Sequence, residues 1–267
     1  MAGRIEGKVA VITGGTSGIG EATAELFIAE GAKVVIAGRS EEKGQAIADR
    51  LGENAIYQRA DVMKEEEIKA VIDLAAEKFG SLDILFNNAG GPAAQGLDDV
   101  TPESIGYAMQ YLFGSVALGI KHANPVMKES GGGSIINNSS IAALRYGQGG
   151  HLYAAAKVAV THYSKMAGVE LGPFGIRVNC ISPGAIATPI FWGGSARANT
   201  LSDEENDRKM AKLQKNLVKA TPMRSAGLAW DIATAALFLG SDEGRFVNCH
   251  DLVVDGGRTS IFHEPPA

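Results

Sequence analysis

The chain has 267 residues, 45% of them hydrophobic and 21% charged, with a formal net charge of -5. That length suits one large domain burying ~75% of its unfolded surface, and the acidic balance leaves no basic footprint for nucleic acid. No apolar run reaches the ~18 residues needed to cross a bilayer. Met1 to Lys8 mixes charges of both signs without an apolar core, so no secretory signal is expected.

Val9 to Ile12 is a short continuous apolar run, the pattern of a strand buried on both faces. Thr13-Gly14-Gly15-Thr16-Ser17-Gly18-Ile19-Gly20 follows, then a helical pattern from Glu21 to Glu30. Strand, glycine-rich turn and helix together open a nucleotide-binding βαβ unit. Glycines permit the tight turn and close backbone approach, and the helix N-terminus offers free N–H groups to phosphate. Ala32 to Ala37 reads as the second strand, whose end meets the adenosine ribose in such units. No Asp or Glu stands there; Arg39 is the first charged side chain after it. A guanidinium suits a 2′-phosphate, so NADP(H) is favoured over NAD(H). Stacking of Arg39 on the adenine, and its neutralisation by Glu41 or Glu42, stay open.

A helix is expected from Glu41 to Leu51, a third strand from Ala55 to Arg59, and an amphipathic helix from Glu65 to Phe79 with Ile68, Val71, Ile72 and Ala75 on one face. Asp83 to Phe86 is the fourth strand, leading into the turn Asn87 to Pro92 at the carboxyl edge of the sheet. Thr101 caps a long helix with Pro102 at its first position, running to about Lys128. Ser134 to Asn138 is the fifth strand and Ile141 to Gly150 a loop. Leu152 to Leu171 is a helix that places Tyr153 and Lys157 one turn apart on one face. Arg177 to Ile181, Ala229 to Leu239 and Leu252 to Val254 complete the pattern as strand, helix and strand. Between them Thr188 to Ala220 combines Phe191 and Trp192 with a charged helical part, Ser202 to Lys219, whose acids balance its lysines. Cys180 and Cys249 lie in strand-like apolar settings, with no second pair for a metal site. They read as buried thiols of a reducing compartment, and a soluble cytoplasmic protein is expected. Strands alternating with helices, without repeats or a composition break, give an α/β fold: a doubly wound, Rossmann-like parallel sheet with helices on both faces in a single domain, 1–267.

These residues, in this order, resemble the short-chain dehydrogenase/reductase family in its one-domain form, over roughly Gly7 to Gly257. The resemblance implies an NAD(P)-dependent oxidoreductase acting on a secondary alcohol or ketone. It makes Gly14, Thr16, Ser17, Gly18, Ile19 and Gly20 the cofactor loop and sets Asp61 on the adenine amino group with Val62 beside the ring. Asn88, Ala89 and Gly90 close the adenosine side, and Pro183, Gly184, Ile186 and Thr188 line the nicotinamide. Ser140 and Tyr153 are thirteen apart, the family's spacing for its catalytic pair, and Lys157 completes a triad. Tyr153 is then the acid/base, Lys157 with the positive charge of the oxidised nicotinamide lowers the phenol's pKa and holds the nicotinamide ribose, and Ser140 donates to the substrate oxygen. The family's asparagine, which holds a water for proton relay to the lysine, is replaced here by Leu112. That departure gives footing to an alternative, a catalytically weak cofactor-binding sensor or scaffold. The substrate boundary is expected at Gly91 to Gly96, Ala142 to His151 and a lid at about 189–220. Phe191 and Trp192 suit a hydrophobic or cyclic substrate, and His151 and Arg145 lie near the site in sequence. No metal is expected. A homotetramer or homodimer is implied by resemblance alone.

Overall fold

A computed structural model describes residues 3–93 and 96–261. Seven strands form one parallel sheet in the order β3-β2-β1-β4-β5-β6-β7. They are β1 (Val9–Thr13), β2 (Lys33–Gly38), β3 (Ala55–Arg59), β4 (Ile84–Asn87), β5 (Gly133–Asn138), β6 (Ile176–Pro183) and β7 (Asp251–Val254). Between them run α1 (Gly18–Ala29), α2 (Glu41–Leu51), α3 (Glu65–Phe79), α4 (Pro102–Met109), α5 (Ser115–Glu129), α6 (His151–Leu171), α7 (Gly194–Ala198), α8 (Asp203–Leu217) and α9 (Ala229–Gly240). The doubly wound expectation holds. Strand order reverses between β1 and β4, which opens a crevice at their carboxyl ends.

The apolar run of β1 is buried throughout because alternate residues serve two cores. Val9 and Val11 pack with the layer holding Val71, Ile120 and Val160 of α3, α5 and α6. Ala10 and Ile12 pack with Phe27, Ile47 and Ile232 of α1, α2 and α9. A central parallel strand covered on both faces reads as continuous apolar sequence for this reason.

Four local expectations are corrected. The helix expected through Lys128 contains a π turn, Gln110–Gly114, between α4 and α5. Such a turn widens the backbone at one point, and it carries the fully buried Leu112. The segment 141–150 is not all loop, because Ser140 Oγ accepts from Ala142 N at 3.1 Å and caps a 3₁₀ turn, Ile141–Ala143. The strand expected to end at Ile181 runs on, since pairing with β7 extends to Pro183. Cys180 is buried as expected, whereas Cys249 is only partly buried and sits outside any strand with φ of 58°. The predicted cap formed at Thr101, ahead of Pro102, and Ser104 completes a reciprocal box with it at α4.

Candidate active site

The crevice is a cleft of about 520 Å³, lined among others by Gly14, Thr16, Ser17, Gly18 and Ile19 of the first loop. Gly14 has φ of +66°, and a Cβ there would lie 2.9 Å from Ala89 Cα, so only glycine fits. Gly20 does not line the cleft; it lets α1 approach the loop, since a Cβ would come within 2.2 Å of Gly14 O. Ser17, the N-cap of α1, makes no side-chain cap bond, which leaves first-turn N–H groups open toward the cleft for an anion. The loop is locked to the β4 end. Thr13 Oγ1 accepts from Asn88 N and Ala89 N at 3.0 and 3.1 Å, and Asn88 Nδ2 donates to Thr13 O and Gly14 O.

At the far end the cleft is lined by Gly38, Arg39, Asp61 and Val62. A Cβ on Gly38 would meet Thr16 Cγ2 at 2.7 Å, so the strand end has no room for an acidic side chain. Arg39 is exposed, with no carboxylate in ion-pair range among the described residues; Glu41 and Glu42 do not neutralise it. Tyr111, which the sequence reading missed, also lines this cleft. Only its place in the π turn, one residue before Leu112, brings it there. The chain thus offers a glycine cradle, a helix N-terminus and a free guanidinium to a phosphate-bearing dinucleotide.

Tyr153, Asn138, Ile19, Thr188 and Ile190 line both this cleft and a second cavity of about 270 Å³. Ser140, Pro183, Gly184 and Ile186 lie on the second cavity alone, and Asn88, Ala89, Gly90 and Lys157 on the cleft. Tyr153 therefore stands at the junction. Lys157 is buried, 5.6 Å from the Tyr153 ring centroid, and its Nζ donates to Asn138 O at 2.6 Å. Burial pushes its pKa down to about 8. A Cβ placed on Gly90 would lie 3.5 Å from Leu112 Cδ2 and 3.8 Å from Lys157 Nζ, so the glycine faces both side chains. In the protein alone burial raises the Tyr153 pKa, and the Ser140 hydroxyl is the influence opposing it. The phenol is enclosed although part of its ring faces the cavities, and Nζ is held by a backbone carbonyl instead.

Pro92, Ala93, Gln148, Gly149, Gly150, Ile190 and Phe191 complete the second cavity. Ala94 and Gln95 of the expected boundary lie outside the described residues. The expected lid divides. Gly194, Ser195, Ala196 and Asn199 line the dinucleotide cleft, Ile190 and Phe191 the second cavity, and the charged α8 neither. Trp192 lines neither cavity and packs inward, with Nε1 buried. Arg145 turns away from the site, its Nη1 donating to Thr259 O and, at 2.6 Å, to Ile261 O. His151 opens α6 and lines neither cavity. Among the described residues no cluster of three His, Cys, Asp or Glu could hold a metal, and no helix is long and apolar enough to cross a membrane.

Comparison with known proteins agrees with this architecture. Residues 14–259 match the family model described as enoyl-(acyl carrier protein) reductase. Tropinone reductase-like 2 of Erythroxylum coca is 42% identical over 265 residues, covering 97% of this chain and 92% of the relative. (+)-Borneol dehydrogenase 2 of Salvia officinalis is 37% identical over 264 residues, with the same coverage. A solved structure described as a short-chain dehydrogenase/reductase from Burkholderia xenovorans superposes with a TM-score of 0.85 at 30% identity, covering 98% of this chain and all of that one. The chain belongs to the short-chain dehydrogenase/reductase family, a family of oxidoreductases.

Proposed function

We propose that the protein interconverts a secondary alcohol and a ketone with NADP(H), using Tyr153 as the acid/base. The observation that carries this is the place of Tyr153 at the junction of the two cavities, with Ser140 on the substrate side and Lys157 on the cofactor side. The nicotinamide, when bound, accepts or supplies the hydride. On oxidation the Tyr153 oxygen takes the alcohol's O–H proton; on reduction it returns a proton to the carbonyl oxygen. Ser140 donates a hydrogen bond to that oxygen and stabilises the charge developing on it. Lys157 would hold the nicotinamide ribose and, while protonated, would favour the phenolate. Arg39, exposed and without a carboxylate partner, supports NADP(H) over NAD(H).

The second cavity is walled by Pro92, Ala93, Pro183, Ile186, Ile190 and Phe191. An apolar wall with few polar groups favours a hydrophobic or cyclic substrate, and resemblance to a relative named for borneol supports the same class. We read residues 3–93 and 96–261 as one domain with residues 189–199 as its lid, in a cytoplasmic homotetramer or homodimer. Exposed Val158, Met166 and Val169 on α6 support self-association. Leu112 keeps a second reading in view, a cofactor-binding sensor with weak turnover. A panel of cyclic and aryl alcohols and ketones, followed by nicotinamide absorbance with each cofactor, tests the proposal. Turnover with NADP(H) supports it; cofactor binding without turnover on any member selects the sensor.

A further inference from the structure

The second cavity carries six polar side chains among the described residues, and five of them are engaged. Ser140 and Tyr153 belong to the reaction. Asn138 donates its Nδ2 to Asn88 Oδ1 at 2.9 Å, and its own oxygen is buried beyond reach. The Ser139 hydroxyl lies between Lys157 O at 3.1 Å and Thr161 Oγ1 at 2.7 Å. Thr188 Oγ1 donates to Ile186 O at 3.4 Å. Gln148 remains.

The direction of the Gln148 amide is set by Arg258, whose Nε donates to Gln148 Oε1 at 2.6 Å. A guanidinium N–H can only donate, so the amide oxygen faces it and Nε2 is turned away. Arg258 is itself fixed. Its Nη1 donates to Ala220 O at 3.1 Å, and the Asp255 carboxylate ties its turn together by accepting from Gly257 N and Thr259 N. Gln148 Nε2 makes no hydrogen bond among the described residues, and unlike the unpartnered Trp192 Nε1 it is not buried. It therefore meets open space, and the space that Gln148 lines is the second cavity. Gly149 keeps it beside the reacting end: a Cβ there would lie 2.9 Å from Tyr153 Cδ1, so the residue next to Gln148 rests on the phenol ring.

We infer that Gln148 is a specificity-determining residue: its Nε2 donates a hydrogen bond to a second acceptor on the substrate, apart from the oxygen that reacts. This rests on the alcohol and ketone reading above and narrows its substrate class. The substrate is an apolar, cyclic alcohol or ketone that also carries an ether, hydroxyl or carbonyl oxygen. A purely hydrocarbon ring would strip water from Nε2 and leave the donor unpaired, which disfavours its binding.

The test uses three pairs of ketones, 2-, 3- and 4-methoxycyclohexanone, each against the ethylcyclohexanone of the same position. Within a pair the two differ by an oxygen in place of a methylene. The ratio of kcat/KM within each pair is measured for wild type, Gln148→Glu and Gln148→Met. Glutamate keeps an oxygen for Arg258 but has no N–H to offer; methionine keeps the bulk and loses both. Wild type should favour at least one methoxy ketone over its ethyl twin, and that ratio should fall about tenfold in each variant. A purely structural role would leave the ratio unmoved in Gln148→Glu, which retains the link to Arg258. Wild type favouring no methoxy ketone, or a ratio equal in wild type and variants, overturns the proposal. Either variant carries the comparison if the other does not fold. No turnover of any of the six ketones by wild type with either dinucleotide would instead sink the underlying alcohol and ketone reading.

Discussion

Lys157 Nζ donates to the backbone carbonyl of Asn138 at 2.6 Å, so the buried ammonium is tied to the end of β5 and not to the phenol of Tyr153. Burial lowers the lysine pKa from 10.5 to about 8. The unfolded chain therefore binds this proton more readily than the folded one. Below about pH 8 both states carry it, and the folded state bears the full desolvation penalty, on the order of 3 kcal/mol. Between about pH 8 and 10.5 the folded state sheds the proton first, and stability rises. Lys157→Met should thus be more stable than wild type at pH 7, with the advantage shrinking toward pH 10. Denaturant unfolding of both proteins at the two pH values measures this; a gap independent of pH would refute desolvation of Nζ.

Tyr153→Phe should lower turnover by about 10²- to 10⁴-fold, the usual contribution of a positioned acid/base. Cofactor dissociation constants should stay within about twofold, since the variant removes only the hydroxyl. Because burial raises the phenol's pKa in the protein alone, alcohol oxidation by wild type should accelerate as pH rises. A variant retaining wild-type turnover would remove Tyr153 from the chemistry.

Leu112 is fully buried and lies beside Gly90, which also faces Lys157 Nζ. Leu112→Asn places an amide in this apolar pocket and should cost about 1–3 kcal/mol of stability where the amide lacks partners. It should also raise the Lys157 pKa by supplying polar surroundings, seen as a weaker pH dependence of stability above pH 8. Cofactor affinity should be nearly unchanged. A large change in the dissociation constant would show that Leu112 touches the cofactor.

Arg39→Ala should weaken NADPH binding by about tenfold or more, the value of a charge-assisted bond to phosphate, and leave NADH binding nearly as it was. Titration of both cofactors against both proteins checks this, and equal NADPH affinity would end the case for Arg39.

Arg258 Nε donates to Gln148 Oε1 at 2.6 Å and its Nη1 to Ala220 O at 3.1 Å, joining the turn after β7 to a wall of the second cavity and to the segment after α8. Arg258→Ala should raise the substrate KM about three- to tenfold by loosening Gln148. The cofactor dissociation constant should not move. An unchanged KM with a lowered melting temperature would confine Arg258 to a structural role.

Local physics made much of this protein legible in advance. Strands β1, β2 and β4 follow from short apolar runs, because a strand covered on both faces has no polar alternation to obscure it. The glycine loop and the cap at Thr101 are equally local. Spacing alone brought Tyr153 and Lys157 to one helical face, since four residues make about one turn.

Other features depend on chain segments that meet only on folding. The π turn at Gln110–Gly114 carries no breaker that a sequence pattern would reveal. The raised phenol of Tyr153 arises from burial among elements far apart in sequence, as does the lowered lysine. Arg145, near the site in sequence, is drawn to the carbonyls of Thr259 and Ile261, more than a hundred residues away. Asn138 looked like the last residue of a strand. The partner of its amide lies fifty residues upstream and that of its carbonyl nineteen downstream. Periodicity is encoded along the chain, so it fixes strands, helices and helical faces by itself. Desolvation and hydrogen-bond direction depend on what folding packs alongside, and they decided how Lys157, Tyr153 and Asn138 are poised.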